Sequence, residues 1–315
     1  MRVVFFGTGD FAVPSLRWLG NSPHEVVLVV TQPDRPAGRG KKLLPTPVAA
    51  RAAQDGMRLL RCEDVNTTDC VESLRRLRPD LGVVIDFGQK LQAEVRSVFP
   101  SECINLHASL LPKYRGAAPV AHAILSGERK TGVSVFRLVD RMDAGPVLVQ
   151  RETAIGPYET QEELHGRLAA IGCDAIDAAF KLFSGDRLPE GKPQDESQAT
   201  RAPKLSKADG LLRFDEPAEW IARRCRALWP WPGARCQYLG SEGRPVEVTL
   251  ISATATPVPV DSPPGTVTPI LTVATGSGTL EIHSLQPAGK RPMGWQDFVN
   301  GRHVQAGCRF VSLGA

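Results

Sequence analysis

Hydrophobic residues form short, nearly continuous runs through the first half of the chain. Three runs lie at 2–6, 26–30 and 81–85, and a shorter one follows at 103–105. Such runs are typical of parallel strands buried on both faces. A helix-like stretch begins near Pro14, between the first two runs, and this alternation continues. The pattern predicts a mostly parallel α/β sheet with helices on both faces.

A long helix and then a break are predicted next. Residues 160–163 (Thr-Gln-Glu-Glu) match a capping box, and an apolar stripe with helical spacing continues toward Gly185. The stretch 188–202 is polar, contains proline and has no periodicity, which indicates a linker. A further helix is expected at 215–228.

After that helix, short runs rich in valine and threonine alternate with glycine and proline. They lie at 246–252, 265–268, 271–274 and 280–285. Short strands with frequent turns favour a small β-barrel. We therefore expect a first domain at 1–187, a linker at 188–204 and a barrel domain at 205–315.

Asn105 and His107 are the first candidates for chemistry. They are two positions apart where the backbone should be extended, so both side chains point the same way. Open α/β sheets bind ligands at the carboxyl ends of their strands. An amide donor beside a titratable imidazole suits chemistry on a carbonyl group. Taken alone, His107 would more often be a core histidine satisfied by hydrogen bonds.

A carboxylate further along the chain supplies a candidate partner. The apolar stretch 133–139 leads into a turn-rich loop at 140–146 and then a short run at 147–149, which predicts a hairpin. Asp143 in this loop could orient His107 and share its proton. The alternative is that Asp140 or Asp143 only caps the turn.

Together these residues resemble the formyltransferases that use 10-formyltetrahydrofolate. The resemblance rests on Asn105-x-His107, on Ser109-Leu110-Leu111-Pro112 and Arg115-Gly116-Ala117-Ala118-Pro119, and on Asp143. Segments 31–42, 204–207 and 285–290 extend it over almost the whole chain, and the last two are similar to the branch that acts on tRNA. It implies formyl transfer, without a metal, to the α-amino group of methionyl initiator tRNA, which serves translation initiation.

The resemblance also implies a Rossmann-like first domain, an OB-like barrel and roles for individual residues. Asn105, His107 and Asp143 would be catalytic. The folate pocket would be formed by Phe87, Gly88, Leu91, Ser109, Leu110, Leu111 and Pro112, with the pterin held near Asp140, Arg141 and Met142. The tRNA would meet Arg35, Arg39, Lys41, Lys42, Lys204, Lys207, Arg223 and Arg224. The chain departs from the family pattern at Gly9, usually proline, and at Asp86-Phe87, usually a small residue and tyrosine.

Net charge and cysteine content limit the kinds of partner and the cellular environment expected for this protein. The net charge of +4 and pI near 8.7 permit an acidic polymer as partner without requiring one. The seven cysteines are scattered without a Cys-x-x-Cys pair, which fits reduced thiols rather than a disulfide frame or a zinc site. No leader or apolar run of membrane-spanning length is present. We expect a cytoplasmic monomer.

Two stretches are enriched in basic residues. Between 201 and 235, eight basic residues stand against four acidic ones, which suits phosphate contacts but also an ordinary solvated helix face. Residues 35–42 combine Arg35, Arg39, Lys41 and Lys42 with glycine and proline. They predict a mobile basic loop.

Competing functions stay open at this point. Residues 7–12 match the Gly-x-Gly-x-x-Ala form of a dinucleotide fingerprint, although Asp34 comes late for its acidic residue, so an NAD(P)-dependent oxidoreductase is one alternative. Asp86-Phe87-Gly88 occurs in kinases, but no other kinase motif accompanies it. A formyltransferase for a small amine, such as an amino sugar nucleotide, is a second alternative. A non-catalytic RNA-binding protein is a third.

Overall fold

The chain divides into two compact units. The computed structural model describes residues 1–37, 42–183, 187–241, 244–258 and 261–313. The first unit comprises Met1–Gly116, Lys130–Thr153 and His165–Ala202, and the second comprises Ala117–Arg129, Ala154–Leu164 and Pro203–Ala315. Within the described ranges, no helix is long and apolar enough to cross a membrane.

Strands and helices alternate along residues 1–202. The strands are β1 (Arg2–Gly7), β2 (Glu25–Thr31), β3 (Arg35–Ala37), β4 (Lys42–Leu44), β5 (Leu59–Arg61), β6 (Leu81–Ile85), β7 (Cys103–His107), β8 (Arg115–Gly116), β9 (Lys130–Arg137), β10 (Val147–Ala154) and β11 (Arg201–Ala202). The helices are α1 (Val13–Gly20), α2 (Pro47–Gln54), α3 (Thr68–Arg76), α4 (Ala93–Arg96), α5 (Pro119–Leu125) and α6 (Gln161–Phe180).

The first unit is built on a seven-stranded sheet with the order β10-β9-β7-β6-β1-β2-β5. Strands β7, β6, β1, β2 and β5 are parallel, whereas β9 runs antiparallel to β7. This confirms the predicted mostly parallel, Rossmann-like sheet. After β1 the chain builds one side of the sheet and then returns through β6 to build the other. The carboxyl ends of β1 and β6 therefore lie at the topological switch point, where such sheets bind ligands.

A hydrophobic core fixes these strands. Val4, Phe6 and Val84 from the sheet pack with Leu74 of α3 and Phe99, and all five are buried. Continuous burial of the strands explains why their sequence lacks a polar alternation. The loops that follow the strands are thus held on a rigid base.

Helix α6 begins with the predicted capping box. The Glu163 backbone N–H donates to Thr160 Oγ1 at 3.3 Å, and the Thr160 N–H donates to Glu163 Oε2 at 2.9 Å. Two otherwise orphaned donors are satisfied by this exchange. The helix ends at Phe180, and Gly185, the expected stop, lies outside the described residues.

The second unit contains an antiparallel barrel. Its strands are β12 (Ala234–Leu239), β13 (Val246–Thr256), β14 (Val273–Ala274), β15 (Thr279–Pro287), β16 (Met293–Gly294) and β17 (Arg309–Val311), with helices α7 (Ala218–Leu228) and α8 (Trp295–Arg302). The sheet order is β14-β15-β13-β12-β17, with β16 added on β15. Bridges from Thr266 to Arg309 and from Val267 to Val273 link its two edges, so the barrel is nearly closed, as predicted.

Two elements differ in detail from the sequence expectation. Helix α7 begins at Ala218 rather than 215, because Pro217 has extended backbone at the N-cap position. The basic stretch 35–42, predicted as a loop, has flanks that pair as a short antiparallel hairpin, β3 with β4. Arg39 and Lys41 lie outside the described residues.

Candidate active site

Strand β7 places Asn105 and His107 on one face of its extended backbone. His107 is buried, and its Nε2 lies 2.8 Å from the carbonyl oxygen of Tyr114. A carbonyl can only accept a hydrogen bond, so Nε2 carries a proton. The other ring nitrogen, Nδ1, is left to gain and lose a proton.

Asp143 faces that second nitrogen. Its Oδ2 is 3.8 Å from His107 Nδ1, and only 9% of the His107 side chain and 12% of the Asp143 side chain are exposed. This distance is too long for a hydrogen bond, but the carboxylate and the ring face each other with little exposure to water. The same Oδ2 accepts a bond from the Gly116 N–H at 2.8 Å. Asp143 therefore contacts a loop distant in sequence, which the turn-capping alternative does not require.

Asn105 supplies a free donor beside this pair. Its side chain is half-buried, and within the described part of the chain its amide forms no hydrogen bond. A half-buried amide without an internal partner is available to a ligand. The structure thus brings together the three residues proposed as catalytic.

The Ser-Leu-Leu-Pro loop after β7 is fixed from within. Ser109 is fully buried and its hydroxyl donates to the Lys113 carbonyl at 2.6 Å. Ser134 on β9 donates to the Ser109 carbonyl at 2.7 Å and accepts from the Leu111 N–H at 3.0 Å. Leu111 is buried, while Leu110 and Pro112 are half-buried. The hydroxyl of Ser109 therefore shapes the loop, and nothing in the sequence pointed to Ser134.

The loop after β6 is anchored by its apolar side chains. Phe87 and Leu91 belong to the hydrophobic core, at 3% and 4% exposure. The Phe87 carbonyl accepts from Thr8 Oγ1 at 2.9 Å and from Gln32 Nε2 at 3.3 Å. Gly88 is exposed and has a φ of 79°, a conformation that favours glycine. The loop is held in place while its surface at Gly88 stays accessible.

Asp86 and Gly9, both departures from the family pattern, form a single contact. A Cβ atom at position 9 would lie 1.9 Å from Asp86 Oδ2, so a larger residue there would displace the carboxylate. Although the Asp86 residue is exposed, desolvation of its carboxyl by the surrounding protein and, to a smaller extent, the negative charge of Asp10 raise the pKa of that carboxyl to about 6. In the described ranges, no group of three or more His, Cys, Asp or Glu side chains could hold a metal ion.

This contact weighs against the dinucleotide interpretation of residues 7–12. The Asp86 carbonyl accepts the N–H groups of Thr8 and Gly9 at 3.0 and 3.4 Å. A pyrophosphate would need such N–H groups and would meet the Asp86 carboxylate beside them. The turn is therefore suited to holding the β6 loop rather than a phosphate.

Two ion pairs hold the loop between β9 and β10. Asp140 pairs with Arg96, and Arg141 Nη1 lies 2.8 Å from Glu196 Oε2. Met142 is 64% exposed. Sequence reasoning missed the partners of this loop in residues 192–202, because a polar stretch without periodicity carries no signal of its contacts.

The basic residues proposed for tRNA differ in how they are used. Arg223 pairs with Glu219, and Arg224 donates to the Asp209 and Leu211 carbonyls. Arg35 donates to Gln32 Oε1 at 3.2 Å. The remaining described members of the set are exposed: Lys42, Lys204 and Lys207. Among the described residues, these three lysines form no ion pair or side-chain hydrogen bond.

Known proteins match this chain over nearly its whole length. The sequence profile of the formyl transferase family matches residues 1–179, and that of the formyl transferase C-terminal domain matches 204–303. A methionyl-tRNA formyltransferase of Methylococcus capsulatus is 43% identical over 312 residues, 98% of this chain and 99% of that one. A methionyl-tRNA formyltransferase of Moorella thermoacetica is 40% identical over 305 residues, 96% of each.

Solved structures share the fold. An N-formyltransferase of Helicobacter canadensis, in complex with folinic acid and dTDP-3-aminofucose, gives a TM-score of 0.63 at 16% identity over 90% of this chain and 98% of that one. HypX of Aquifex aeolicus, in complex with tetrahydrofolic acid, gives 0.61 at 18% identity over 95% of this chain, which spans about half (47%) of HypX. The family profiles and the full-length relatives show that the chain belongs to the formyl transferase family, with methionyl-tRNA formyltransferases among its full-length relatives.

Proposed function

We propose that this protein transfers the formyl group of 10-formyltetrahydrofolate to the α-amino group of methionyl initiator tRNA, giving N-formylmethionyl-tRNA for translation initiation. The observation that carries the proposal is the His107–Asp143 pair beside the free amide of Asn105. Full-length relatives named methionyl-tRNA formyltransferases support this choice of acceptor, and the tetrahydrofolic acid bound to HypX supports a folate donor.

The folate is proposed to bind at the switch point of the sheet. The β6 loop offers an accessible surface at Gly88 above the anchored Phe87 and Leu91, and the loop around Asp140 to Met142 is exposed. Ligands of α/β sheets bind at this edge. Bound folate would supply the formyl carbon and the N10 leaving group.

Asn105 acts on the formyl oxygen. Its amide donates to that oxygen as negative charge builds there during attack by the amine. A fixed donor of this kind typically contributes about 3 kcal/mol to the rate of acyl transfer. The positive charge of a protonated His107 would stabilise the same developing negative charge.

His107 and Asp143 move the protons. The attacking ammonium must lose a proton and N10 must gain one. Because Nε2 is held by the Tyr114 carbonyl, the exchange takes place at Nδ1 and the facing carboxylate. Asp143 keeps the imidazolium stable between the two transfers.

The acceptor is a tRNA rather than a small amine. Exposed Lys42 lies in the β3–β4 hairpin, and exposed Lys204 and Lys207 precede the barrel, so basic side chains occur in both units. Lysine contacts to phosphates give affinity for a polyanion that a small amine does not need. With charged tRNA as acceptor, we propose that the protein acts in the cytoplasm, as a monomer.

The test is incubation with 10-formyltetrahydrofolate and either charged initiator or charged elongator tRNA. Formylmethionine should form on initiator tRNA and far more slowly on elongator tRNA. Transfer to an amino sugar nucleotide but not to tRNA would contradict the proposal. Binding of NADH, seen by its fluorescence, together with no formyl transfer would favour the oxidoreductase instead.

A further inference from the structure

The polar stretch expected to be a linker forms backbone hydrogen bonds with the rest of the first unit near Lys192 and near Arg201. At one end, Lys192 and Val147 exchange backbone hydrogen bonds of 2.7 and 2.8 Å. At the other, β11 pairs in parallel with β8, aligning Arg201 with Arg115. We call residues 192–202 the 192–202 segment. Such pairing fixes the path of this segment across the surface of its own unit.

Gln194 in this segment uses every polar atom of its side chain. Its Nε2 donates to the Asp143 carbonyl at 2.8 Å and to the Gly145 carbonyl at 2.7 Å. Its Oε1 accepts from Arg115 Nη2 at 2.7 Å and from Arg115 Nε at 3.1 Å. One amide therefore joins the loop that carries Asp143 to the loop around Arg115.

Both joined loops hold the partners of His107. Tyr114 and Gly116 flank Arg115. The Tyr114 carbonyl accepts a hydrogen bond from His107 Nε2, and the Gly116 N–H donates one to the Asp143 carboxylate. The position of Asp143 relative to the imidazole thus depends on two loops that meet at Gln194.

The backbone of the Asp143 loop needs such support. Asp143 has a φ of 52°, in the left-handed region that costs a non-glycine residue energy. Strained backbone of this kind persists only where neighbouring groups hold it. The two bonds from Gln194 fall on the carbonyls of Asp143 and Gly145, on either side of the strained stretch.

We propose that Gln194 is a positioning residue for formyl transfer: it sets the distance between Asp143 and His107 Nδ1 without touching either substrate. The proposal rests on the proposed function. If the Asp143 loop relaxes, the carboxylate moves away from the imidazole and proton exchange slows. A misplacement of about 1 Å can cost as much as 100-fold in rate.

Two variants separate the roles of the amide. Gln194→Glu keeps an acceptor for Arg115 but loses the donor to the Asp143 and Gly145 carbonyls, and Gln194→Met loses both at similar volume. Gln198→Met is the matched control, since Gln198 is exposed on the same segment and bonds only to Asp195 among the described residues. Both Gln194 variants should lower kcat by roughly 10- to 100-fold. Their KM values for formyl-folate and tRNA should stay within about twofold of the wild type, because uniform binding is unaffected.

Circular dichroism and thermal unfolding check that each variant is folded, and crystal structures of the wild type and Gln194→Met measure the separation of His107 Nδ1 and Asp143 Oδ2. The proposal expects this separation to increase. Equal kcat for the Gln194 variants and Gln198→Met would overturn it, as would a raised KM at unchanged kcat. If the wild type transfers no formyl group, the proposed function fails separately, and an unchanged His107–Asp143 separation in Gln194→Met overturns the positioning role by itself.

Discussion

The residues of the site differ in which of their polar atoms are already bonded. His107 has one nitrogen fixed by a carbonyl and the other facing a carboxylate, while the Ser109 hydroxyl is used inside its own loop. Asn105 keeps its amide free within the described ranges. These differences assign donor, proton carrier and structural roles to residues that stand close together in sequence.

Removing the Asn105 amide should lower the rate without unfolding the protein. In Asn105→Ala, we expect kcat to fall by about 100- to 1,000-fold, because the amide donor to the developing charge is lost. Steady-state kinetics with initiator tRNA measure this. Asn21→Ala is the control, since the Asn21 amide bonds to the Arg17 carbonyl at the surface. A similar kcat for the two variants would remove the role assigned to Asn105.

Asp86 should make stability depend on pH. Its pKa of about 6 lies above the usual value of about 3.9, so between these values the folded protein holds a proton that the unfolded chain releases. This carboxyl therefore costs stability as pH rises from about 4 to about 6. Asp86→Asn should unfold at a higher temperature than the wild type at pH 7 and at a similar temperature at pH 4.

Thermal unfolding of both proteins across this pH range measures the effect. Asp261→Asn, which changes an exposed carboxylate, serves as the control. If the difference in unfolding temperature between Asp86→Asn and the wild type were the same at pH 4 and pH 7, a raised pKa of the Asp86 carboxyl would not be the cause of that difference.

Individual elements owe their limits to local contacts. The capping box fixes the start of α6, and Pro217 with its extended backbone fixes the start of α7. The hairpin of β3 and β4 leaves Leu43 and Leu44 exposed at 70% and 49%. The described part of the hairpin therefore exposes apolar as well as basic side chains.

The α6 cap can be tested against a matched threonine. Thr160→Ala removes the acceptor for the Glu163 N–H, which should cost about 1 kcal/mol and lower Tm by roughly 2–4 °C. Thr67 also precedes a helix, but its side chain makes no cap bond to α3. Calorimetry should show a clearly smaller loss for Thr67→Ala, and equal losses would mean that the cap bond contributes nothing.

The basic stretch 35–42 should contribute to tRNA binding and not to folate binding. Replacing Arg39, Lys41 and Lys42 together by alanine removes positive charge that would contact phosphates. The expected result is a raised KM for tRNA, most strongly at low salt, where phosphate contacts are least screened, with folate affinity unchanged. Unaltered kinetics with tRNA would contradict this role.

At the scale of the whole molecule, the sequence predicts those features of the fold that depend on residues close together in the chain. The apolar runs at 2–6 and 81–85 became β1 and β6 because a strand buried on both faces is a continuous apolar run in the sequence. The approach of Asp143 to His107 could be expected because His107 ends a strand and Asp143 lies in the loop of a recognisable hairpin.

Contacts between distant residues could not be predicted in the same way. Gln194 lies 51 positions from Asp143, in a stretch whose composition indicated only a linker. Arg223 and Arg224 counted as free charges in the sequence, yet the fold gives them partners on and beside α7. Such pairings depend on the finished tertiary structure, which composition and periodicity do not encode.

Single-turnover formylation of methionyl initiator tRNA by His107→Ala tests the central claim most directly. With the enzyme saturated by 10-formyltetrahydrofolate and tRNA, and with folding confirmed by circular dichroism, the rate should fall by roughly 100- to 10,000-fold against the wild type. That loss would show that the imidazole between Tyr114 and Asp143 carries the protons of the reaction. A near-normal rate in the folded variant would contradict the account.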